Sequence, residues 1–130
     1  MQGIGTHLLI DLYGVYESLL RDEDRLMGIF TGALEQANLN ILDQVSYRFQ
    51  DGGSGVTGLF LLSESHLAFH SYPEYQYIAL DIFSCGSSDH EEVVSVVKRA
   101  LRPHAHENTV VIRGRRCHRD AEFPTCAAPE

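Results

Sequence analysis

Residues 56–85 read VTGLFLLSESHLAFHSYPEYQYIALDIFSC, and their pattern decides the fold. An apolar run, Val56 to Leu62, stops abruptly at Ser63-Glu64-Ser65-His66. A second run alternates Leu67, Phe69 and Ser71 before Tyr72-Pro73-Glu74-Tyr75. A third ends in Ala79-Leu80-Asp81-Ile82-Phe83 and delivers Cys85 followed by glycine. Runs of this length with a period of two are strands. The sequence therefore predicts strands over 56–62, 66–71 and 75–83. Reactive side chains stand where these strands end, which is where a rigid scaffold can hold chemistry.

Before this stretch, Thr6 to Leu12 reads as a buried strand ending at Tyr13-Gly14. Leu26, Ile29, Phe30 and Leu34 recur at helical spacing behind Asp22, Glu23 and Asp24, whose charges suit the positive end of a helix dipole. They predict a helix over about 22–38. Ile41 to Phe49 reads as a strand, and Gln50 to Gly55 as a glycine-rich turn. After it, Ser87-Ser88-Asp89 offers caps for a second helix with the apolar stripe Val93, Val94, Val97 and Leu101, stopped by Pro103. Asn108 to Arg113 reads as a last strand. The predicted class is α+β: a mainly antiparallel sheet with two helices packed on one face. One domain is expected over 1–114, with 115–130 as a mobile tail.

The formal net charge is −8, with 10 Lys and Arg and no basic tract outside Arg113 to Arg119. This argues against nucleic acid as a partner and favours cationic small molecules. No apolar run approaches the roughly 20 residues of a membrane span, and no leader pattern opens the chain, so a cytoplasmic location is expected. Cys85, Cys117 and Cys126 are odd in number and lack metal spacing, so thiols are expected. His66 and His70 share a strand face but have no third ligand at a clear spacing, and no metal is expected. His104-x-His106 reads as solvated.

The Ser63-to-His66, His70-to-Tyr75 and Phe83-to-Gly86 segments, in this order, resemble those of the prokaryotic S-adenosylmethionine decarboxylase proenzymes. The spacing is five residues from Ser65 to His70 and twenty from Ser65 to Cys85. A weaker likeness runs from His7 to about Arg113. The resemblance implies a dimerising fold, self-cleavage between Glu64 and Ser65, and a pyruvoyl group derived from Ser65. It also implies that His70 is the proton acceptor in processing, with Thr57 in place of a helper serine. Cys85 would be the proton donor in turnover and Glu74 a contact to the substrate ribose.

The chemistry is coherent. Decarboxylation at an α-carbon needs an electron sink conjugated to the amine. Pyridoxal phosphate is normally held by a lysine, and the single lysine, Lys98, lies in a polar setting on the second helix, so that cofactor is not expected. For a pyruvoyl sink, the Ser65 hydroxyl attacks the Glu64 carbonyl and the peptide bond becomes an ester. Loss of the Ser65 α-proton then expels the Glu64 carboxylate, and hydrolysis of the dehydroalanine leaves the ketone and ammonia. The ketone takes the substrate amine as a Schiff base. A thiol with the ordinary pKa of about 8.5 is protonated at neutral pH and can return a proton to the α-carbon. A histidine's reference pKa lies near neutrality, so His70 can act as a base.

The chain departs from the family around the nucleoside. Its 46–58 segment has Tyr47 where a histidine is usual and lacks a proline, and the loop between Phe49 and Gly55 is two residues longer. Asp11 replaces a common glutamate, and Tyr13-Gly14-Val15-Tyr16 a usual Tyr-Gly-Cys-Asp. Phe49, whose family counterpart stacks on adenine, and Glu74, Asp51 and Asp11 are the candidate substrate contacts. S-adenosylmethionine is the expected substrate. The alternative is ornithine or arginine on the same scaffold, with Asp51 pairing the distal cation. A non-catalytic binding homologue is a further reading. A Ser-His hydrolase using Asp81 finds no nucleophile elbow around Ser65.

Overall fold

The computed structural model describes residues 3–63, 65–85 and 90–116. Six strands form one antiparallel sheet: β1 (Gly5–Tyr13), β2 (Ile41–Arg48), β3 (Val56–Leu62), β4 (His66–Tyr72), β5 (Tyr77–Cys85) and β6 (Ala105–Arg113). Their order across the sheet is β2-β3-β4-β5-β1-β6. Helix α1 (Glu17–Leu20) is one turn; α2 (Glu23–Gln36) and α3 (His90–Leu101) are the two long helices. The expected class, an antiparallel α+β sheet, is what forms.

Alternation does the sorting. Along β5 every second residue is buried, and Ile78, Leu80 and Ile82 face the helices. Leu8, Ile10 and Leu12 of β1, Phe60 of β3, and Leu67 and Phe69 of β4 do the same. Helix α2 answers with Leu26, Met27, Phe30, Ala33 and Leu34, and α3 with Val93, Val94, Val97 and Leu101. Phe30 lies flat on Phe69, ring centroids 4.4 Å apart at 10°. A core of fully buried Leu, Ile and Phe side chains, each contributing about 1.5–3 kcal/mol, is the main stabilising term. Helix α2 starts where the acidic run predicts: the Asp22 carboxylate accepts from the Arg25 amide at 3.1 Å.

Apart from shifts of one or two residues at element ends, three features differ from expectation. Helix α1 was not foreseen, being too short to show periodicity. Strand β6 starts at Ala105 rather than Asn108, because its full length pairs with β1 from Tyr13↔Ala105 to Gly5↔Arg113. As an exposed edge strand it carries no alternation to read. A 3-10 turn at Pro73–Tyr75 separates β4 from β5, which begins at Tyr77. The expected caps at 87–89 lie outside the described residues. So does the expected tail from residue 117 on, with Cys117 and Cys126.

Among the described residues, no helix lies on the other sheet face. Cross-strand registers arrange it in rows. One row runs Asp43, Leu61, His66, Phe83, His7, Val111; the next is Val45, Leu59, Ala68, Asp81, Leu9, Thr109. The third is Tyr47, Thr57, His70, Ala79, Asp11, Glu107. Val45, Leu59 and Leu61 are 60%, 46% and 54% exposed, an apolar patch that a solvated face does not need.

Candidate active site

The predicted residues fall into two groups at opposite ends of this open face. At one end stands Ser65, in the turn joining β3 to β4. The Leu62 amide donates to the Ser65 carbonyl at 3.0 Å. The Asn40 side-chain amide donates to Ser63 Oγ at 3.0 Å, and the Ser63 amide to the Asn40 carbonyl at 3.2 Å, so the turn is tied on its β2 side. Glu64 lies outside the described residues. The β4–β5 register pairs His66 with Phe83, so Ser65, just ahead of β4, and Cys85, at the end of β5, stand at the same end of the sheet. Cys85 ends β5, half-buried and in no disulfide, on the same face as Phe83. Ser65 and Cys85 thus lie at the same end of the sheet.

Aromatic rings pave the floor here. His66 lies over Phe83 with centroids 5.9 Å apart at 29°. His7 stands edge-on to both, at 6.2 Å from His66 and 5.8 Å from Phe83. Gly5 permits this, since a side chain there would run into the Phe83 ring. The Arg113 guanidinium sits over Phe83 at 5.7 Å and contacts His7 Nδ1 at 3.3 Å.

At the other end is a cavity of about 560 Å³, within the range that takes a nucleoside-sized ligand. Its lining includes Tyr47, Phe49, Asp51, Thr57, His70 and Glu74. Thr57 Oγ1 and His70 Nδ1 share a hydrogen bond of 2.9 Å across the β3–β4 ladder. Tyr47 and Phe49 meet edge-to-face at 5.0 Å and make an aromatic wall. Glu74, on the 3-10 turn, lies directly against Gly53; any side chain at 53 would collide with its carboxylate.

The longer loop is braced from α1. Arg21 Nε donates to the Gly53 carbonyl at 2.9 Å while its guanidinium pairs with Glu17 at 3.0 Å. Ser71 Oγ donates to the Leu20 carbonyl at 2.7 Å and accepts from the Val56 amide at 2.8 Å. These bonds carry the unforeseen helix to the cavity rim.

Asp11 shares the face and the row of His70 but lies outside the cavity lining. It accepts from the Tyr77 hydroxyl at 2.5 Å. Burial first, then this bond and the Asp11 charge, push the Tyr77 phenol well above the usual tyrosine range. Tyr72, Tyr77 and Tyr13 stack in sequence across β4, β5 and β1, with centroids 5.5 and 5.4 Å apart. Tyr47, His7, Arg113 and Arg21 were not singled out from sequence as site residues. Tyr47 and His7 share their strand faces with Val45 and Leu9, a signal that strand alternation carries; Arg21 shows none. Among the described residues, no group of three His, Cys, Asp or Glu side chains is placed to hold a metal. No helix among them is long and apolar enough to cross a membrane.

A one-sheet α+β chain, with a serine at a hairpin turn and a cysteine at the same end of the sheet and an aromatic-walled pocket at the far end, has the architecture of the self-processing decarboxylases. Comparison with known proteins agrees. The profile of the S-adenosylmethionine decarboxylase family matches residues 6–114. The S-adenosylmethionine decarboxylase proenzyme of Thermoplasma acidophilum is 34% identical over 113 residues, covering 86% of this chain and 85% of that protein. The arginine decarboxylase proenzyme of Pyrobaculum arsenaticum is 38% identical over 96 residues, covering 73% and 71%. The crystal structure of the adenosylmethionine decarboxylase from Aquifex aeolicus superimposes with a TM-score of 0.81 at 28% identity, covering 95% of this chain and 100% of that one. The chain belongs to the S-adenosylmethionine decarboxylase family.

Proposed function

We propose that this protein is a cytoplasmic, self-processing pyruvoyl-dependent decarboxylase of S-adenosylmethionine. It works as a homodimer whose active centres each draw on both copies. One observation supports the shared centre above others. Ser65, in the turn ahead of β4, lies five residues from His70, so roughly 16 Å of extended chain separates them. A proton acceptor at that distance cannot serve Ser65 of its own chain. The Thr57–His70 pair can serve Ser65 of a second copy if the two open faces meet in antiparallel fashion. The exposed Val45, Leu59 and Leu61 support that contact. A C2 contact of this kind brings the two ends together twice.

In such a centre the turn residues present Ser65 Oγ to the Glu64 carbonyl, and His70 takes the Ser65 α-proton while Thr57 orients its ring. The pyruvoyl group so formed supplies the electron sink for loss of carbon dioxide. Glu74 accepts from the ribose hydroxyls, and Phe49 with Tyr47 stacks the adenine. The aromatic floor of Phe83 and His66 keeps water from the reacting carbon, and Cys85 returns the proton there.

Arginine is the second reading, favoured by Asp51 on the cavity wall and by the arginine decarboxylase relatives. The test is the denatured mass of the purified protein, followed by carbon dioxide release from S-adenosylmethionine, ornithine and arginine. The reading expects two fragments divided at Glu64–Ser65, the second with a blocked amino end, and release from S-adenosylmethionine. A chain that stays intact refutes processing. Release from arginine or ornithine alone replaces the substrate.

A further inference from the structure

The His7 ring carries an unusual constraint. Its Nδ1 lies 3.3 Å from an Arg113 guanidinium nitrogen. A guanidinium only donates, so Nδ1 is the acceptor and the ring proton sits on Nε2. That Nε2 is buried and has no hydrogen-bond partner among the described residues. Native structures satisfy nearly all buried donors, and the exceptions call for a reason. The rings packed edge-on against His7 are Phe83 and His66, and His66 is the residue next to Ser65. An oriented donor therefore sits unspent on the aromatic floor of the Ser65 end.

We propose that the His7 Nε2–H donates to an oxygen of the reacting centre built on residue 65, with Arg113 as the positioning residue that fixes the tautomer. This rests on the pyruvoyl reading above. The acceptor is a carboxylate or carbonyl oxygen: the substrate α-carboxylate, or the carbonyl carried by residue 65 itself. A neutral donor suits either, because it orients the oxygen without adding a proton to it. Arg113 blocks the other nitrogen, so His7 acts as a donor rather than as a base.

Two measurements test this. In the uncleaved Ser65→Ala protein, side-chain nitrogen NMR of His7 is expected to show Nε2 protonated and Nδ1 bare; the reverse tautomer overturns the proposal. In the processed enzyme, His7→Gln places an amide N–H near the Nε2 position, whereas His7→Asn places it near Nδ1. Turnover per pyruvoyl-bearing chain is expected to fall about tenfold or more in His7→Asn, the worth of one hydrogen bond in a dry site, and to stay within roughly threefold of wild type in His7→Gln. A loss confined to turnover assigns the acceptor to the substrate carboxylate. A matching loss in self-cleavage rate assigns it to the residue 65 carbonyl. Equal behaviour of the two variants, or a weakened dimer in both, overturns the proposal. If the wild-type chain does not cleave, the pyruvoyl reading fails by itself, whatever the tautomer.

Discussion

Ser65→Ala and His70→Ala should each abolish self-cleavage alone and restore it together. The first chain lacks the nucleophile but keeps the Thr57–His70 pair. The second keeps Ser65 but lacks the proton acceptor. If the roughly 16 Å of extended chain between the two residues rules out action within one chain, a mixed dimer contains one complete centre, made of Ser65 from the His70→Ala chain and His70 from the other. Equal co-expression with random pairing makes half of the dimers mixed. In each mixed dimer one of two chains can cleave, so about a quarter of all chains should appear as fragments in a C2 assembly. Distinct tags on the two variants show which chain is cut, and a denaturing gel or mass spectrum measures the fraction. Only the His70→Ala chain should be cleaved. Absence of fragments from co-expressed chains that do form mixed dimers would refute the reasoning. Complete cleavage of His70→Ala alone would remove His70 from processing.

Other consequences are local. Arg21→Ala frees the Gly53 carbonyl and loosens the wall against Glu74. Loss of one such bond should raise KM roughly three- to tenfold with kcat nearly unchanged, read from steady-state kinetics. Gly58→Ala puts a methyl into the Phe69 ring and 2.9 Å from Met27 Sδ. Overpacking of this kind costs about 1–3 kcal/mol, which a lowered thermal midpoint should show. The Tyr77 phenol holds its proton more tightly in the folded chain than in the unfolded one. Its contribution to stability is therefore complete below the ordinary tyrosine pKa of about 10 and is lost as pH rises beyond it. Tyr77→Phe should make the thermal midpoint fall less steeply with pH above 10 than it does in the wild type; parallel curves would contradict the assignment.

The sequence by itself was enough for the class of fold and for the family. The strands β3, β4 and β5 are legible because their alternate residues face a helix layer, so burial prints a period of two on the chain. The edges β2 and β6 carry little of that print, and the start of β6 was misplaced by three residues for that reason. Ser65, His70 and Cys85 were legible as an ordered motif. Order along the chain does not tell which members meet, however. Ser65 and Cys85, twenty residues apart, reach the same end of the sheet because β4 and β5 pair in antiparallel register. Ser65 and His70, only five apart, are held at opposite ends because a strand is extended.

The tertiary structure alone decided the rest. Strand β1 sits between β5 and β6, which brings His7 between Phe83 and Arg113 from three distant parts of the sequence. Helix α1 has no pattern of its own, yet its end places Arg21 against the 49–55 loop. Local periodicity records which face of an element is buried. It does not record which elements become neighbours, and these contacts depend on that.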